Sequence, residues 1–291
     1  MKTCILLLES FRPRQWTKNL FIFAGLLFSQ NILNLPLLLR TIFAFLIFCI
    51  LSGCVYILND IFDLEQDRRH KVKSRRPLAS GRLKVSHTIL ALIILTPLLL
   101  AASYYLGLSF FLVTLGYLLL QAAYCFRLKH VVILDVFAIA CGFVLRVVAG
   151  AVVINVEISS WLIICTILLA LFLGLSKRRH ELMLLEESAQ EHRKVLGEYS
   201  PYLLDQMISV VTASTVVAYA LYTMSMETIG KFGTKNLVFT VPFVLYGIFR
   251  YLYLIHRTGA GGSPEHILVT DKPLLIDIFL WVTAAVVIIY V

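Results

Sequence analysis

Mostly apolar stretches of spanning length recur from one end of this chain to the other, and that recurrence leaves few folds open. A helix needs about 20 such residues to cross the hydrocarbon layer, whereas a membrane barrel shows alternation in segments of about 10. The runs here are continuous, which predicts helices. Nine spans are expected, near residues 19–34, 38–58, 86–105, 108–126, 131–153, 159–179, 203–226, 236–256 and 273–290. The first is interrupted by Ser29, Gln30, Asn31 and Asn34. The expected fold is an all-α integral membrane protein, a nine-helix bundle forming one domain over residues 1–291, with no polar linker long enough to divide it. Composition agrees, with 15% charged residues against about 25% in soluble domains.

Lysine and arginine set the expected orientation. With the amino terminus inside, 22 of the 26 lie in inner segments, only Arg40, Lys231 and Lys235 lie outside, and Arg146 lies within a span. The amino terminus is therefore expected in the cytoplasm, the chain in the plasma (inner) membrane, and Val291 outside because nine is odd. The formal charge of +9 suits anionic lipid and phosphorylated substrates at that inner face, and nucleic acid is not expected as a partner. Cys4 to Leu8 is too short for a signal-peptide core, so the amino-terminal stretch is expected along the interface with Trp16 as an anchor. The six cysteines show no paired motif and are expected to be reduced core residues.

The inner segments hold the chemistry. From Asn59 to Pro77 the chain carries four acids and six lysines and arginines directly after an apolar run. If the helix continues, Asp60, Asp63 and Asp67 fall at i, i+3 and i+7 on one side, with Asn59 and His70 near the same stripe and Glu65 opposite. Carboxylates that face one place repel unless a cation lies between them. Mg²⁺ is the natural candidate, since it takes hard oxygen ligands and shares them with substrate phosphates. The expected metal ligands are Asn59, Asp60, Asp63 and Asp67, with the basic run that follows available for phosphates.

Other charged groups are weaker signals. Tyr124, Arg127, Lys129 and His130 lie between the fourth and fifth spans, where depth-setting side chains are common. Asp135 and Arg146 lie inside a span, where ionisable groups are costly and face a partner or a cavity. They share a helix face but stand about 16 Å apart along the axis, so each needs another partner, expected in a polar cavity. Lys177, Arg178, Arg179, His180 and Glu181 end the sixth span and are expected to form a second polar wall, with Lys177 and Glu181 at i, i+4. Arg12, Arg14 and Lys18 flank Trp16 and suit either a lipid phosphate or a membrane anchor. The glycine-rich Gly259 to Pro264 lacks the Gly-Lys-Ser/Thr of a phosphate loop, and no zinc-protease or nucleophile-elbow motif is present.

The acidic pattern Asn59-Asp60-x-x-Asp63-x-x-x-Asp67 after an apolar span resembles the first aspartate-rich motif of the UbiA superfamily of intramembrane prenyltransferases. The chain is most similar to the decaprenyl-phosphate phosphoribosyltransferase branch. That likeness rests on Arg12-Pro-Arg-Gln-Trp16 with Lys18-Asn19, on the acidic motif with His70, Lys73, Arg76 and Pro77, on Lys129-His130 with Asp135, on Gly142-Phe-x-Leu-Arg146, and on Lys177-Arg178 with Glu181. Two departures stand out. Lys71 occupies a position where that family carries proline, and Lys177, Arg178 and Glu181 stand where prenyltransferases proper have a second aspartate-rich motif.

The resemblance implies a Mg²⁺-dependent transferase. A polyprenyl phosphate would attack C1 of 5-phosphoribosyl diphosphate, giving a lipid-linked phosphoribose of the kind used in cell-wall biosynthesis. It implies Asp60, Asp63, Asp67 and Asp135 as catalytic residues. It implies substrate contacts from Asn59, Lys73, Arg76, Tyr124, Lys129, His130, Arg146, Lys177, Arg178 and Glu181. Arg12, Arg14 and Lys18 would take the lipid phosphate, Asp135 and Glu181 would contact ribose hydroxyls or a second metal, and a homo-oligomer is compatible. The competing readings are a prenyl transfer to an aromatic acceptor and a transporter for a phosphorylated solute.

Overall fold

Polar residues at the ends of apolar runs set where the helices of this chain begin and stop. The computed structural model describes residues 2–69, 72–186, 194–258, 267 and 270–290. Its elements are helices: α1 (Lys2–Ser10), a 3-10 segment (Pro13–Ile22), α2 (Phe23–Phe28), α3 (Leu35–Phe62), α4 (Leu64–Arg69), α5 (Val85–Leu106), α6 (Leu108–Phe126) and α7 (Leu134–Val153). There follow α8 (Ser160–Glu186), α9 (Pro201–Met224), α10 (Met226–Phe232), α11 (Val241–Thr258) and α12 (Lys272–Tyr290). Asn34 caps α3 by accepting from the Leu37 N–H at 3.4 Å, with Pro36 in the first turn. Ser200 caps α9 through the Leu203 N–H at 3.1 Å. Gly107, at φ 141, makes the left-handed joint between α5 and α6 that a side chain would resist.

Among the described residues eight helices are long and apolar enough to cross a membrane, and the chain is a multi-pass membrane protein. The span expected at 19–34 is the one that differs. It is a ten-residue 3-10 segment followed by the six-residue α2, and it stops at Ser29 and Gln30, the latter at φ 59. Six α-helical residues rise only about 9 Å. The polar residues interrupting the run make the stop: Asn31 Nδ2 donates to the Ser29 carbonyl and hydroxyl, both at 2.9 Å, and Asn34 caps the next helix. Placing Val291 opposite the amino terminus depended on an odd count and does not follow from eight.

The chain divides into two compact units, one of residues 1–129 and 145–157, the other of residues 130–144 and 158–291. In the first unit Ile22, Leu26, Phe48, Leu51, Phe110, Tyr117 and Val153 form a buried core, with the Phe48 ring 5.1 Å from Tyr117 and 6.0 Å from Phe110. Close backbone approach rather than water exclusion fastens its amino-terminal segment, as small residues do inside membranes. A Cβ on Gly150 would lie 1.8 Å from the Ile22 carbonyl oxygen, and one on Gly25 3.0 Å from the Ala151 backbone. The outer face is apolar, with Ile89, Leu90, Ile93, Ile94 and Leu98 of α5 exposed.

In the second unit α8 lies along α9, Phe172 meets Tyr251 edge to face at 5.2 Å, and Gly174 leaves room for Val136. Trp281 Nε1 donates to Tyr219 Oη at 2.9 Å, and that hydroxyl lies 2.7 Å from Thr240 Oγ1, so these three polar groups of the apolar helices satisfy one another. All six cysteines are free, as expected, but Cys4 and Cys141 are exposed rather than in the core.

Candidate functional site

The acidic motif straddles a helix break. α3 ends at Phe62, Asp63 closes it by donating its N–H to the Asn59 carbonyl at 2.9 Å, and Asp67 sits on the separate α4. The continuous helix expected through the motif is therefore two helices joined at Asp63. Asp60 and Asp67 are buried, at 4% and 3% exposure. His70 and Lys71 lie outside the described residues.

Each acid is answered by a cation from elsewhere in the first unit. Arg76 Nη1 donates to Asp60 Oδ1 at 3.0 Å and also to Asp67 Oδ2, so two carboxylates converge on one positive atom. Arg12 donates to the same Asp60 oxygen, and its guanidinium carbon lies 4.9 Å from the centre of the Tyr56 ring. Burial draws the Arg12 guanidinium below its ordinary pKa, and the charge of Asp60 opposes that. Arg12 is left-handed, at φ 51, and the preceding Phe11 ring packs on the bare Cα of Gly53, where a Cβ would lie 2.6 Å from it. Lys129 Nζ reaches Asp63 Oδ1 at 2.6 Å and Asn59 Oδ1 at 3.4 Å, while Asn59 Nδ2 donates to Asp63 Oδ2 at 3.0 Å.

Beside this cluster lies a cleft of about 310 Å³, walled by Glu9, Ser10, Arg12, Asp60, Lys73, Arg75 and Arg76 with Val72 and Pro77. The amino-terminal cations part company here: Arg12 joins the acidic motif, whereas Arg14 and Lys18 do not line the cleft. Arg75, which the sequence offers only as one of several cations in the run after the acidic motif, lines it as well.

The donor set suits a hard divalent ion in chemistry: three carboxylates and an amide oxygen, with Asp60 and Asp67 presented to one cationic atom. Among the described residues no three His, Cys, Asp or Glu side chains converge as a ready-made cage. Mg²⁺ does not require one, because it commonly takes one or two carboxylates and completes its shell with water and substrate phosphate.

Arg146 is also in the first unit, 5% exposed. Its Nε donates to Asn19 Oδ1 at 2.7 Å and its Nη2 to Tyr117 Oη at 2.8 Å, with Asn19 Nδ2 3.3 Å from Ser52 Oγ. Two neutral side chains are thus among the partners of this intramembrane charge. Tyr124 is half-buried on α6, and His130 is exposed.

The second unit contains a charged node of its own. Asp135, fully buried, accepts from Arg178 Nε at 2.6 Å on one oxygen and from Tyr199 Oη at 2.8 Å on the other. Arg178 also bonds Glu181, whereas Lys177 is half-buried one residue away. Tyr199 Oη in turn accepts the Ile133 N–H at 2.7 Å. Ile133 has φ 70, a left-handed conformation that a β-branched residue adopts only under constraint. Burial pushes the Tyr199 phenol up to about 12, so it stays a donor. Nothing in the local sequence announces Tyr199. Residues 187–193 and the glycine-rich stretch from Gly259 to Pro264 lie outside the described residues.

Comparison with known proteins follows the same lines. The UbiA prenyltransferase family matches residues 19–263. A curated relative from Corynebacterium glutamicum, named decaprenyl-phosphate phosphoribosyltransferase, is 31% identical over 290 residues, covering 98% of this chain and 87% of that protein. A Mycobacterium tuberculosis protein of the same name is 29% identical over 278 residues, covering 94% and 91%. Among solved structures, a UbiA homologue from Archaeoglobus fulgidus bound to GPP and Mg²⁺ superposes with a TM-score of 0.72 at 21% identity, over 98% of this chain and all of that one.

Proposed function

This chain belongs to the UbiA prenyltransferase family, and we propose that it transfers 5-phosphoribose from 5-phosphoribosyl diphosphate to a polyprenyl phosphate of decaprenyl type. The observation that carries the reading is the near-full-length similarity to relatives named for a decaprenyl-phosphate phosphoribosyl transfer. Local chemistry supports it: acids interleaved with Arg12, Arg76 and Lys129 suit a donor that brings several phosphates.

In this reading an oxygen of the lipid phosphate forms a bond to C1 of the ribose as the bond from C1 to the diphosphate breaks, and pyrophosphate leaves with the electron pair. The attacking oxygen is already anionic, so alignment and charge stabilisation carry the step without a strong base. Asp60 and Asp67, with Asp63 and Asn59 beside them, are the proposed ligands of Mg²⁺, which when bound supplies positive charge to the diphosphate. Arg76 and Lys129 add fixed positive charge where negative charge develops on the leaving group. In the second unit we propose Asp135 and Tyr199 as positioning residues for Arg178. The bias of Lys and Arg toward one set of loops supports a plasma-membrane setting with the acidic motif facing the cytoplasm.

The test incubates the purified protein with labelled phosphoribosyl diphosphate, polyprenyl phosphate and Mg²⁺, then extracts lipid. Label in the lipid is expected. Unlabelled lipid together with prenyl transfer to an aromatic acceptor would overturn the reading in favour of the parent activity.

A further inference from the structure

The cleft of about 310 Å³ beside Asp60 has two chemical characters. Its charged lining is mostly cationic, with Arg12, Lys73, Arg75 and Arg76 against Glu9 and Asp60. Glu9 is paired with Arg82 at 3.2 Å and Asp60 with Arg12 and Arg76, so both carboxylates of the wall are already answered. Lys73 and Arg75 line the cleft as well, and among the described residues the exposed Arg75 guanidinium has no carboxylate partner. It also has apolar neighbours. Val72 lines the cleft at 71% exposure, and Ile5, at 60%, lies one turn from Glu9 on the same face of α1, with Leu8 exposed beside it at 51%.

A phosphoribosyl diphosphate is polar throughout and gains nothing from such apolar neighbours. A prenyl monophosphate is an anionic head on an apolar chain and matches both parts. We infer that this cleft is the seat of the acceptor's phosphate, with Arg12, Lys73 and Arg75 holding the phosphomonoester and Val72 and the outer face of α1 meeting the first prenyl units. The inference rests on the phosphoribosyl-transfer reading for what is done with the lipid, but not for its binding. It gives Arg75 a role, and it moves Lys73 from the donor to the acceptor.

The full-length protein in detergent, as wild type, Arg75→Ala and Arg75→Lys, is assayed for binding of farnesyl phosphate, inorganic phosphate and phosphoribosyl diphosphate, and for steady-state transfer. Arg75 is exposed, so its replacement leaves the fold intact. Loss of one charge-assisted contact should weaken farnesyl phosphate binding, and raise KM for the lipid, by about tenfold, with kcat and the KM for the donor unchanged and lysine restoring most of the loss. A rise in the donor KM instead would return the cleft to the donor. Equal binding of inorganic and farnesyl phosphate would reduce it to a plain anion site, and an unchanged Arg75→Ala protein would remove the assignment altogether. If wild type binds farnesyl phosphate through Arg75 but yields no ribosyl lipid, the cleft stands and the transfer reading falls.

Discussion

Lys129 Nζ lies 2.6 Å from Asp63 Oδ1, and 66 residues separate the two in sequence. The lysine side chain is 3% exposed and the aspartate's 15%. Breaking a buried pair by removing one partner strands the other's charge. Lys129→Met should therefore lower stability by about 3 kcal/mol, read as a drop in melting temperature in detergent. Asp63→Asn added to it should recover much of that loss while transfer stays down. A single variant that melts with wild type would mean the pair contributes nothing.

Asp60 and Asp67 converge on Arg76, and the proposed metal role predicts their response to magnesium. Chelation should abolish transfer in wild type and added Mg²⁺ should restore it. Asp60→Asn and Asp67→Asn should each lose at least about a hundredfold in rate at any Mg²⁺ concentration, in line with removal of one charge-stabilising group. Rates titrated against free Mg²⁺ decide it, and full activity of Asp60→Asn at saturation would refute the assignment.

Gly150 sits where a Cβ would lie 1.8 Å from the Ile22 carbonyl oxygen, whereas a Cβ on Gly116 would meet nothing within 4 Å. Gly150→Ala should cost at least about 2 kcal/mol by overpacking, and Gly116→Ala should stay within about 0.5 kcal/mol of wild type. Paired melting curves test the contrast.

The Tyr199 phenol, raised by burial from 10.0 to about 12, favours its neutral form in the folded protein. Its contribution is therefore complete below pH 10 and is lost as pH climbs through 12. Tyr199→Phe should be less stable than wild type by about 1 kcal/mol in the lower range, the usual net worth of a buried hydrogen bond. The gap should narrow above pH 10. A gap that widens there would contradict the assigned proton.

The spanning helices are legible in the sequence because lipid demands a minimum length of apolar chain: the run expected at 131–153 is α7 at Leu134–Val153, and that expected at 108–126 is α6. Hydropathy fails at 19–34 because it weighs the apolar residues and not the turn that Ser29, Gln30 and Asn31 make among themselves. Within the site, the residue types are legible but their pairing is not. Helical spacing assumes one helix through Asp60, Asp63 and Asp67, yet the chain breaks at Asp63, and no local pattern tells Asp63 that its cation is Lys129. Tyr199 escapes for the same reason, since its partners Ile133 and Asp135 are 66 and 64 residues away.

The bare Cα of Gly150 has a consequence for descent as well as for packing. With no methyl tolerated against Ile22, the segment that delivers Arg12 cannot slide along α7 without breaking contact. A relative bearing even alanine at this position should hold that segment displaced, and should have found another guanidinium, or another path for the same one, to reach its acidic motif.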